Sequence, residues 1–165
     1  SSTLPGAMTP RPVDGHMLYD GGLGEGAGLP VCMAEKDGFA RTFFVATRPR
    51  GYRKQPPTPA EQRLYERLAG DYPFLFKALL TRWERYNDEL ERIERLAAAG
   101  SIYVVWPERM MVSSGTTSAT LLNAQYEAGR AQAIRQMPLW REFLFGSADG
   151  GPTPPDGWDG YVTIA

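Results

Sequence analysis

From Tyr72 to Ala97 the apolar residues recur at alternating spacings of four and three: Tyr72, Phe76, Leu79, Trp83, Tyr86, Leu90, Ile93 and Ala97. This is the a/d pattern of a heptad, so a helix over this stretch lays one stripe lengthwise along a partner helix. Asp71 and Pro73 open the helix, and Gly100 closes it. Its other faces carry Arg82, Glu84, Arg85, Asp88, Glu89, Glu91, Arg92, Glu94 and Arg95, the composition of a solvated, ion-paired surface. Asp88 with Arg92, and Glu91 with Arg95, have the acid-first four-residue order that supports a helix.

The partner is expected in a last helix from about Thr117 to Phe145. Its stripe is Leu122, Tyr126, Gly129, Ala133, Met137, Trp140 and Leu144, and Gly129 with nearby alanines permits close approach. Pro138 predicts a kink or split. A shorter helix begins at Thr58-Pro59-Ala60-Glu61, where Thr58 caps, Pro59 suits the first turn and Glu61 completes a capping box; Gly70 ends it.

Two hairpins are expected between and before these helices. Val31–Ala34 and Phe39–Thr47 flank Lys36-Asp37-Gly38, and Asp-Gly between β-prone runs is a hairpin signal. Ile102–Trp106 reads as a buried strand, with Met110-Met111-Val112 returning after a turn at Pro107-Glu108-Arg109. Residues 1–30 and 146–165 are rich in Gly and Pro and read as arms around a single domain at 31–145. The expected fold is therefore α+β: an antiparallel sheet from two β-hairpins, a pair of long antiparallel helices on one face, and extended N- and C-terminal arms.

Composition narrows the function. Of 165 residues, 42% are hydrophobic, enough for a core, while the net charge of -1 disfavours wholesale electrostatic binding to nucleic acid or membrane. The one cysteine, Cys32, cannot close an internal disulfide, and no apolar run approaches the roughly 20 residues of a membrane span. A reducing, cytoplasmic setting is the expectation, with no membrane partner. One cysteine and one histidine supply no spaced ligand set, so no metal site and no cofactor are expected.

Three segments carry possible binding chemistry. Arg48, Arg50, Tyr52, Arg53 and Lys54 form a basic, proline-flanked loop suited to phosphates or to a partner's carboxylates. Ser113-Ser114-Gly115-Thr116-Thr117-Ser118 places hydroxyls before a helix, an anion-binding arrangement, but lacks the Gly-Lys-Ser/Thr of a phosphate loop. The arms offer sparse apolar points, Leu23, Trp158, Tyr161 and Ile164, as anchors for a neighbouring subunit. No catalytic constellation is complete. The expected function is a non-enzymatic structural or assembly protein, a small subunit of a larger particle of phage or virus type, whose arms lace neighbouring subunits. The alternative is a protein engaging nucleic acid or an acidic partner through residues 48–54; a third is a phosphate-handling enzyme using residues 113–118.

Overall fold

A computed structural model describes Thr3, Pro5 and residues 8–146. The fold mixes helix and strand, and the chain divides into two compact units. One comprises Ser1–Thr42 with Tyr52–Ile102; the other comprises Phe43–Gly51 with Tyr103–Ala165.

The first unit opens with an antiparallel ribbon, β1 (Arg11–Val13) and β2 (His16–Leu18), with Val13 opposite His16. Asp14 and Gly15 both have positive φ, 48° and 78°, which is what a two-residue hairpin turn demands. The expected hairpin at Asp37-Gly38 does not form. Val31–Lys36 is instead a short helix, α1, and Gly38 (φ 87°) ends it. Gly38 N–H donates to Glu35 O and Phe39 N–H to Ala34 O, the paired bonds of a Schellman end. An Asp-Gly pair satisfies either motif, because both need a residue at positive φ.

Helix α2 (Pro59–Ala69) starts on the expected capping box. Thr58 Oγ1 accepts from Glu61 N–H, and Glu61 returns the bond to Thr58 N–H at 2.7 Å. The heptad stretch is two helices, α3 (Pro73–Leu80) and α4 (Arg82–Ala98), with the interruption at Thr81. Thr81 Oγ1 donates back to Lys77 O, a bond that bends helices. Tyr86, Leu90 and Ile93 of the expected stripe are buried, with Ile93 wholly inaccessible; Trp83 is half-buried and Tyr72 is exposed. Gly100 closes α4 as expected, with Ser101 N–H donating to Leu96 O.

Within the first unit, the Gly-rich N-terminal segment covers α4. Gly21–Leu23 and Glu25–Gly28 are two consecutive 3₁₀ turns, and the second packs on α4. Ala27, Leu29 and Val31 are buried in this unit together with Ala69, Tyr86, Leu90, Ile93 and Ile102. The glycines permit the tight path. A Cβ on Gly22 would lie 2.7 Å from both the Arg82 guanidinium and the Asp20 carboxylate. The expected extended N-terminal arm is thus corrected over residues 20–29, which are integral to the unit.

The second unit holds β3 (Thr42–Val45), β4 (Ile102–Val105) and α5 (Ala119–Phe145), each strand's first residue falling at the boundary with the first unit. Thr42 N–H donates to Ser101 O and Ala46 N–H to Val105 O. Donor and acceptor advance together along both strands, so the pair is parallel, not an arm of either expected hairpin. Phe43 stacks on Tyr103 with centroids 5.5 Å apart, and Trp140 and Phe143 of α5 meet these rings at 5.4 Å. Helix α5 runs through Pro138 without ending. The expected antiparallel pairing of the two long helices is not formed within either unit, since α4 and α5 belong to different ones.

Met110-Met111-Val112, expected to return as a strand, has no strand partner. Side-chain amides of α5 hold this stretch instead. Gln132 donates to Trp106 O and accepts from Glu108 N–H; one heptad earlier, Gln125 donates to Arg109 O and accepts from Met111 N–H. Each amide meets the backbone as a neighbouring strand's peptide would.

Candidate functional site

The basic segment is divided: Arg48 and Arg50 lie in the second unit, and Tyr52, Arg53 and Lys54 in the first. The latter three are fastened to α4. Arg53 donates to both carboxylate oxygens of Glu94, at 2.7 and 3.3 Å, and to its neighbour's carbonyl at Tyr52. Asn87 clamps the backbone of Lys54, donating to its carbonyl and accepting from its N–H. The Lys54 ammonium sits 4.0 Å above the Tyr86 ring, which meets the Tyr52 ring nearly at right angles, with centroids 6.2 Å apart. These cations are committed within the molecule, and tyrosine and lysine serve as packing. Arg50 is exposed.

The hydroxyl-rich loop is likewise self-bonded. Thr116 Oγ1 accepts from Ser113 N–H at 2.9 Å and lies 3.3 Å from Ser113 Oγ, while Ser118, at the start of α5, makes no capping bond. Leu23 is half-buried, and its carbonyl accepts from Arg85. Trp158, Tyr161 and Ile164 lie outside the described residues.

The densest polar arrangement was not among the expected sites. Arg82 Nε donates to Gly22 O, and Arg85 donates to Leu23 O, Gly24 O and Ala78 O, so two helix arginines hold the Gly-rich turns by their carbonyls. Asp20 accepts from Gly22 N–H, and its own N–H donates to Thr3 O. Farther along α4, the buried Glu89 carboxylate receives both Nε and a terminal nitrogen of Arg92, at 2.8 and 2.7 Å, and Arg92 also meets Glu35 of α1. The hydrogen bonds to Glu89 hold the Arg92 guanidinium more firmly protonated than usual. Glu25 pairs with Lys36, which raises the affinity of that ammonium for its proton.

Cys32 sits beside this network, and a Cβ on Gly26 would lie 3.2 Å from its sulfur. Burial first, and then the charges of Glu89 and Glu25, push the thiol pKa up. The neutral thiol is a poor nucleophile, in keeping with a packing role. The spacing of Arg82, Arg85, Glu89 and Arg92 on one helix was legible. Their engagement was not, because it depends on where the glycine turns dock.

In the second unit a cavity of about 330 Å³ lies between Pro107–Arg109 and α5. Its polar walls are matched to one another. Arg135 pairs with Glu108 at 2.6 Å, and Gln132 and Gln136 complete the net. Among the described residues no group of three or more His, Cys, Asp or Glu is placed to hold a metal ion, and no helix is long and apolar enough to cross a membrane.

Helix α5 also exposes a succession of large apolar side chains. Leu121, Leu122, Tyr126, Ile134 and Leu139 are all at least two-fifths exposed, Tyr126 and Leu139 each at 54%. These residues fall within a recognisable segment. Residues 72–145 match a family model described as "Domain of unknown function (DUF6363)". The match begins at the residue capping α3 and ends on the last residue of α5, so it encloses α3, α4, β4 and α5. It leaves out β3, the strand with which β4 pairs. No curated protein matches the chain, and no solved structure does.

Proposed function

We propose that this chain is an assembly module that works by docking onto neighbouring protein subunits. The observation that carries the reading is α5, on which Leu121, Leu122, Tyr126, Ile134 and Leu139 are each between 43% and 54% exposed. In the first unit Phe74, at 86%, is exposed at the start of α3 in the same way. At about 25 cal/mol per Å² of apolar surface removed from water, covering such side chains favours association.

The proposal is narrower than the particle subunit expected from the sequence. That picture drew on two lacing arms, and residues 20–29 are packed within their own unit. The nucleic-acid alternative loses Arg53 and Lys54 to contacts with Glu94 and Tyr86. The phosphate alternative loses the Ser113 and Thr116 hydroxyls to each other.

Size-exclusion chromatography with light scattering tests the proposal. The full chain should associate in a concentration-dependent way, and the double variant Ile134→Glu, Leu139→Glu should remain folded by circular dichroism but lose that association. A chain that stays monomeric at all accessible concentrations would remove the reading.

A further inference from the structure

We draw no further inference here: the strongest candidate, the cavity of about 330 Å³ between Pro107–Arg109 and α5, carries none, because Arg135 is paired with Glu108 and the buried Gln132 amide with the backbone, and nothing in the structure shows what would fill it.

Discussion

Gln132 shows how a polar residue comes to sit inside a helix-packed unit. It is 6% exposed, yet both ends of its amide are matched, to Trp106 O and Glu108 N–H. Replacing it with leucine preserves bulk but leaves a buried donor and acceptor without partners. Gln132→Leu should therefore cost about 1–3 kcal/mol in chemical denaturation. Leu90, at 2% exposure in the first unit, belongs to the other mechanism, loss of packed volume. Leu90→Ala should cost about 2–5 kcal/mol. Denaturation midpoints that barely move would place Gln132 in water and Leu90 at the surface. The arginine staple is smaller. Arg53 and Glu94 are each about 30% exposed, so screening limits Arg53→Ala to about 1 kcal/mol or less. Arg50→Ala should cost nothing measurable, since Arg50 is on the surface.

At the level of elements, capping decides more than periodicity. The box at Thr58 holds Glu61 ionised: the bonds it accepts from the Thr58 N–H and hydroxyl lower its pKa. A depressed folded-state pKa gives stability that is present above the unfolded value, near 4.3, and lost as pH falls through the lower folded value. Helix α2 should consequently fray in acid, and Glu61→Gln should remove that part of the pH dependence of unfolding. Thr58→Ala should cost about 1 kcal/mol at neutral pH. The two Asp-Gly pairs carry a complementary lesson. Asp14-Gly15 turns a hairpin and Asp37-Gly38 ends a helix, so the dipeptide announces positive φ without saying which motif uses it.

For the molecule as a whole, the glycine-rich start is structure, not appendage. If it is removed, Arg82 loses Gly22 O and Arg85 loses Leu23 O and Gly24 O, and Tyr86, Leu90 and Ile93 lose the cover of the second 3₁₀ turn and the residues after it. Deleting residues 1–29 should therefore abolish cooperative unfolding of the first unit, measured by thermal melting. An unchanged melting temperature would restore the arm reading for this segment. Association through α5 should survive any single change in the Arg53 staple, because the staple lies within the first unit.

The sequence by itself determined the helices with strong local codes: α2 from its capping box, the buried stripe Tyr86, Leu90 and Ile93 from heptad spacing, and the stop at Gly100. It also located β4, because four apolar β-prone residues in a row between Ser101 and Pro107 leave little else. These are readings of nearest neighbours along the chain, and local hydrogen bonding enforces them. The tertiary structure decided the rest. The heptad stripe states that α4 must be covered but not by what, and the covering residues proved to be glycine turns with almost no apolar signal of their own. The pairing of β3 with β4 joins residues about sixty positions apart, beyond any short-range pattern. The amide clamps at Asn87, Gln125 and Gln132 were equally invisible, since an amide on a helix looks solvent-bound until an extended backbone is laid against it.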